Sequence, residues 1–327
     1  MRAVRRILVA VKDPESRSLP AVAKAAQLAR AFGARLELFH GITTPLYADA
    51  FAYSGRSITE VERGTRARLL SQLQAVAARL QRHGIEVDVS ADWDFPAYEA
   101  VVRRATRIKA DLIVAGRHAG RRLAPWLLHL ADWELLRLSP VPVLLVKSPR
   151  AYRRPVVLAA LDPSHAFSKP ASLDQEILRA GRMVTEALHG TLHAMHACVP
   201  MPAGGVPAEA MTARIAGRIE AEALARATTA FERSLRQMKL PAARRHLILR
   251  NPVDAIQRTA REVGSAIVVM GAVSRSGLKR VFIGNTAERV LDQLTCDVLV
   301  VKPARFVSRV SRARRGVRFV TSALPMP

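Results

Sequence analysis

Short apolar runs alternate with longer amphipathic stretches along almost the whole chain. Ile7–Val11 is the first uninterrupted run, and Ala21–Phe32 follows with helical spacing and closes at Gly33. Residues 35–40 alternate apolar and polar, predicting a second strand, and Thr59–His83 is a long amphipathic helix ending at Gly84. Strands over Ile85–Ser90, Asp111–Ala115 and Val141–Lys147 are separated by helices over Tyr98–Ile108 and Ala131–Leu138. Runs that are apolar throughout suit strands buried on both faces. Strands alternating with helices imply right-handed crossovers and a parallel sheet with helices on either side.

The same order then recurs. Strand Val156–Leu161, helix Leu173–Leu188 and strand Thr191–Cys198 lead into a Pro/Gly-rich stretch, Pro200–Pro207. A long helix over Ala208–Gln237 follows, then strand His246–Arg250, helix Val253–Val263, strand Ala266–Met270, helix Thr286–Leu294 and strand Val298–Val301. The repeat is checked by fixed separations. Asp13-Pro14 and Asp162-Pro163 lie 149 residues apart, while Gly116 and Gly271, like Lys147 and Lys302, lie 155 apart. Phe95-Pro96 and Asn251-Pro252 correspond at 156. Four landmarks in one order indicate duplication, with domains at residues 1–148 and 156–303, a basic proline-bounded linker at 149–155 and a tail at 304–327.

Composition narrows the class. Half of the 327 residues are hydrophobic and only 5% aromatic, which suits α/β layers. Cys198 and Cys296 make neither a disulfide framework nor a metal cluster and read as reduced thiols. No run reaches the ~18 apolar residues of a membrane helix. The basic N-terminus leads into an apolar run too short for a signal peptide. The expected location is the cytoplasm.

The net charge of +24 is the unusual quantity. A basic surface attracts polyanions, but these arginines are spread over many helices, aromatic stacking partners are few, and no helix-turn-helix, zinc finger or RNA-binding signature is present. Nucleic acid is therefore not the expected partner. A basic nucleic-acid- or membrane-associated protein working through its arginines stays as a second reading. The densest basic segment, Arg305–Arg318, holds six arginines and no acid and is expected to be a mobile extension.

One segment carries candidate chemistry. Gly271-Ala-Val-Ser-Arg-Ser-Gly277 follows the apolar run Ala266–Met270, and Phe282-Ile-Gly284-Asn-Thr-Ala-Glu288 opens the next helix. A strand, a Gly-rich loop and a helix start place backbone N–H groups where a phosphate can be held.

With Cys296-Asp-Val-Leu-Val-Val-Lys-Pro303, these residues resemble the signature end of universal stress protein domains, whose pattern is Gly, two residues, Gly, nine residues, then Gly-Ser or Gly-Thr. Asp132-Trp-Glu-Leu-Leu136 followed by Pro140–Lys147 is similar to the first domain of tandem members. The resemblance covers nearly the whole chain apart from the tail. It implies two tandem Rossmann-like α/β domains (adenine nucleotide alpha hydrolase-like), each a five-stranded parallel sheet, paired as a pseudo-dimer, with homodimers known in the family. It also implies a role in stress resistance and, in some members, ATP binding with Mg²⁺. On that resemblance the nucleoside-contacting Asp is Asp162, the small residue after strand two is Ala197, and the strand-end residue is Met270. The phosphate loop is Gly271, Ser274, Gly277, Gly284, Asn285 and Thr286.

Two departures stand out. Ser274 replaces the motif's second glycine, and Asn285 stands where Ser or Thr is usual. In the first half, Ala119 and His129 fall at the second and last glycine positions, so that loop reads as degenerate.

Other constellations point to no catalysis. His193 and His196 are three apart on a strand and face opposite ways, so they cannot share a metal. His118 reads as a loop histidine, and Trp133 as a core or interface plug, while Asp132 and Glu134 have no evident partner base. There is no Ser-His-Asp order, Cys-His pair or Walker-type Gly-Lys-Ser/Thr. A non-enzymatic protein is expected, with weak ATP hydrolysis as the alternative.

Overall fold

The computed structural model describes residues 3–47, 57–116, 125–163, 172–198, 213–272 and 285–320. The chain divides into two compact units, residues 2–151 joined by 307–327, and residues 152–306. The first runs β1 (Arg6–Ala10), α1 (Pro20–Phe32), β2 (Arg35–Ile42), β3 (Leu46–Tyr47), α2 (Ile58–Gln81) and β4 (Val87–Trp93). It continues with α3 (Ala97–Arg107), β5 (Leu112–Gly116), α4 (Pro125–Leu138) and β6 (Val143–Val146). Its main sheet is parallel in the order β4-β2-β1-β5-β6.

The second unit repeats the order with β7 (Val156–Leu161), α5 (Ser172–Ala187), β8 (Thr191–Cys198), α6 (Ala213–Leu235) and β9 (Arg245–Leu249). Then come α7 (Pro252–Glu262), β10 (Ser265–Gly271), α8 (Asn285–Gln293) and β11 (Asp297–Val301). Its parallel sheet reads β9-β8-β7-β10-β11. In each unit the first three strands of the main sheet run outward one way and the fourth and fifth the other. The order reverses between β1 and β5, and between β7 and β10. The carboxyl ends of those pairs flank a crevice, the usual ligand position of open α/β sheets.

Burial follows the apolar runs. Ile7, Leu8, Val9, Leu38, Ile113 and Val114 are fully buried in the first unit, as are Val157, Leu158, Ile177, Val268 and Val269 in the second. Each Leu or Ile so placed contributes about 1.5–3 kcal/mol of transfer free energy. The helix ends are set locally. Gly33 (φ 62) ends α1 in the left-handed region, and Gly264 (φ 62) follows α7 in the same way. Ser57 starts α2 with a capping box to Glu60, and Asn251 starts α7 by accepting from the Val253 N–H at 2.9 Å.

Two expectations fail here. The strand expected to stop at Ser90 begins at Val87 and continues to Trp93, pairing its last residues with Gly41 and Ile42 of β2. Its polar end hid it: Asp92, and Asp94 just beyond, break the apolar pattern because they serve arginines rather than the core.

The tail is not an extension. Residues 307–320 pack on the first unit, ending in β12 (Phe319–Val320), which pairs in parallel with β3. Arg103 of α3, with a side chain only 3% exposed, organises the contact. One of its amino groups donates to both carboxylate oxygens of Asp94 at 2.7 Å, the other pairs with Glu99, and its Nε donates to the Ser311 carbonyl at 2.8 Å. Arg315 of the tail donates its backbone N–H to Asp94 at 3.0 Å and its side chain to Glu99 at 2.9 Å. Ser308 donates to the Leu138 carbonyl at 2.8 Å. A basic segment with no acid of its own is held because the first unit supplies buried acids.

Candidate functional site

In the second unit, three of the residues singled out from the sequence reach the same sheet end. Asp162 follows β7, Gly271 ends β10, and Ala197 lies near the end of β8, one residue beyond the Leu161–His196 pair. Asp162 and Ala197 are half-buried. The Asp162 backbone N–H donates to the Asp174 carboxylate at 3.1 Å, so a buried acid in the first turn of α5 fixes the backbone directly after β7. Asp174 escaped the sequence reading. An acid beside the apolar Leu173 at a helix start was its only signal.

Met270 is 7% exposed and belongs mainly to the core. Gly271 has a structural reason of its own: a Cβ there would lie 2.5 Å from Leu173 Cδ2 and 2.9 Å from its Cγ. Helix α5 therefore packs against backbone at the point where β10 ends. Asn285 and Thr286 begin α8, while Ser274, Gly277 and Gly284 lie outside the described residues.

At the corresponding sheet end of the first unit a cation and an anion are paired. Lys12, two residues past β1, pairs with Asp132 of α4, whose side chain is 10% exposed. At the 149 and 155 offsets the matching positions of the second half are Leu161 and Ala287, which carry no charge. The sequence reading left Asp132 without a partner; Lys12, 120 residues away, is that partner. Asp13 accepts from the Glu15 N–H at 2.9 Å, and its carbonyl from the Ser16 N–H at 3.3 Å, so it closes its own turn. Trp133 is half-buried, and His118, Ala119 and His129 fall among residues whose side chains are not described.

Histidines form a feature that the sequence only hinted at. His40 Nδ1 lies 2.8 Å from the Val11 carbonyl, and His196 Nδ1 lies 3.2 Å from the Leu161 carbonyl. Each bond ties strand two to the end of strand one. On the opposite face of β8, His193 stacks on His246 of β9, with Nδ1 2.9 Å from Nε2 and centroids 5.2 Å apart. Burial lowers the pKa of both, helped at His193 by the neighbouring His246 and Arg244. His193 and His196 do face opposite ways, since His196 packs near Phe231 of α6. Among the described residues, no group of three or more His, Cys, Asp or Glu is placed to hold a metal ion. None of the described helices is long and apolar enough to cross a membrane.

A duplicated, doubly wound parallel sheet with a switch point in each unit defines a tandem α/β protein. The universal stress protein family model matches residues 3–147 and 158–302, and the chain belongs to that family. It is 25% identical over 309 residues to universal stress protein E of Escherichia coli K12, covering 93% of this chain and 96% of that protein. Universal stress protein E of Photorhabdus laumondii is 24% identical over 308 residues, 94% and 98% of the two chains. A crystal structure of a Pseudomonas aeruginosa protein described as functionally unknown superposes with a TM-score of 0.69 at 25% identity, covering 92% and 94% of the two chains.

Proposed function

We propose that the chain is a cytoplasmic, non-enzymatic stress-resistance protein that binds an adenine nucleotide in its second unit. The supporting observation is the contrast between the two switch-point crevices. In the first, the Lys12–Asp132 pair bridges the end of β1 to α4. In the second, the matching positions Leu161 and Ala287 carry no charge, and Asp162 and Ala197 are half-buried at the same sheet end. Asp162 and Ala197 would meet the nucleoside, with Met270 behind them. The phosphates, with any Mg²⁺, would fall to Gly271, Ser274, Gly277, Gly284, Asn285 and Thr286 at the start of α8, where unpaired N–H groups favour an anion.

The test is calorimetric titration of ATP with Mg²⁺ into the purified chain. Saturable binding weakened at least tenfold in Asp162→Ala and in Gly284→Val supports the reading. Absence of heat, with no ATP-dependent rise in Tm, overturns it. Phosphate release during the titration would instead indicate the weak ATPase.

A further inference from the structure

We propose that docking of the tail completes a second anion site, specific for a multiply charged phosphate, at the edge of the first unit's sheet. Three arginines from three separate elements converge there on one carboxylate. Arg66 of α2, Arg107 of α3 and Arg314 of the tail lie 3.9, 3.7 and 3.3 Å from the oxygens of Asp92 at the end of β4. The first two separations exceed a hydrogen bond, so those guanidiniums gather around Asp92 without spending their donors on it.

The cluster differs in kind from the one that anchors the tail a few residues away. Arg103 is buried, and its three nitrogens all donate to Asp94, Glu99 and the Ser311 carbonyl. The side chains of Arg66, Arg107 and Arg314 are 52%, 44% and 48% exposed, against 10% for Asp92. Three cations facing one mostly covered anion leave a local excess of two positive charges, open to solvent. Arg66 is held in place through its Nε, which donates to the Ala91 carbonyl at 2.8 Å, leaving its amino groups directed elsewhere. Planar guanidinium forks suit phosphate oxygens, and a polyphosphate can engage several at once. Asp92 acts as the resident counter-charge that keeps the arginines together until an anion of higher charge arrives. The site exists only while the tail is docked, because Arg314 comes from it. A phosphate bound there would in turn fasten the tail to α2 and α3.

Inorganic tripolyphosphate titrated at constant ionic strength tests this. A protein of net charge +24 binds any polyanion somewhat, so the decisive comparison is charge-matched. Arg66→Gln/Arg107→Gln should weaken binding at least tenfold, and Arg258→Gln/Arg261→Gln on α7 less than twofold. The first pair leaves Arg103 and Arg315 to hold the tail, so a loss cannot come from undocking. Tripolyphosphate should also slow trypsin cleavage at Arg309 and Arg312 in the parent chain and not in the Arg66→Gln/Arg107→Gln variant. Equal loss in both pairs, or no change in tail protection, overturns the site. The probe carries no adenine and the variants lie in the first unit, so these results stand apart from ATP binding in the second.

Discussion

His40 and His196 make the same kind of tie in the two units. Each lies on the second strand and sets its Nδ1 against a carbonyl at the close of the first: His40 against Val11, one residue past β1, and His196 against Leu161, the last residue of β7. Each unit thus has a strand-to-strand tie at this sheet end, while the charges around it differ. Burial lowers the pKa of His40 below the ordinary 6.5, opposed by its bond to Val11 and by Asp13. The unfolded chain then binds the proton more readily than the folded one, so stability is full above about 6.5 and falls as the pH drops towards the lowered value. His193 and His246 are shifted in the same direction and add to the effect. Thermal melts between pH 7.5 and 5 should show Tm falling with acidity. His40→Gln, together with His193→Gln, should flatten the slope; an unchanged slope contradicts the assignment.

Gly271 gives a prediction that separates packing from ligand approach. Gly271→Ala puts a methyl into Leu173 at 2.5 Å and should cost about 1–3 kcal/mol through overpacking. Leu173→Ala in the same chain opens space for it, so the double variant should be less destabilised than the sum of the single ones. Urea midpoints for the two single variants and the double one measure the coupling. Strict additivity would mean that the close approach of α5 does not decide the residue.

The Lys12–Asp132 pair should behave as a partly buried ion pair. Lys12→Met leaves Asp132 covered without its cation and should destabilise the chain by roughly 1–3 kcal/mol, a figure held down because Lys12 is 29% exposed. Lys12→Met with Asp132→Leu removes both charges and should recover most of the loss. Urea unfolding of the three variants decides it.

What the sequence made legible follows from range. The strands β1, β5, β7, β10 and β11 were readable because each is built on an apolar run buried on both faces. The ends of α1 and α2 were readable because Gly33 and Gly84 supply the left-handed turn that closes a helix. These are local constraints. Lys12 and Asp132 lie 120 residues apart, and Arg103 and Ser311 lie 208 apart. No periodicity links such partners, and Arg103 reads as one more charge on a helix face. Asp92, Asp94 and Glu99, close together in a basic chain, were the available sign that an arginine segment had somewhere to dock. The phosphate loop is a different case: its identity rests on the family pattern, and among its residues Gly271 is already accounted for by Leu173.

Arg103 offers the sharpest test of the tail. It is buried against two carboxylates, Asp94 and Glu99, and also fastens the Ser311 carbonyl, so Arg103→Met leaves those acids to the half-exposed Arg315 and loosens residues 308–315. A cost of about 3–5 kcal/mol is expected for breaking such a cluster from one side. Arg103→Lys should recover little, because one ammonium cannot span Asp94, Glu99 and Ser311 as the planar fork does. Removing residues 307–327 should be milder than Arg103→Met, since Arg103 keeps both carboxylates when the tail is gone. Tm values should therefore rank the parent chain above the truncation, and the truncation above Arg103→Met. Trypsin should cut at Arg309 and Arg312 rapidly in Arg103→Met and slowly in the parent. A truncated chain less stable than Arg103→Met would mean that the tail holds the acid cluster in place, rather than the cluster holding the tail.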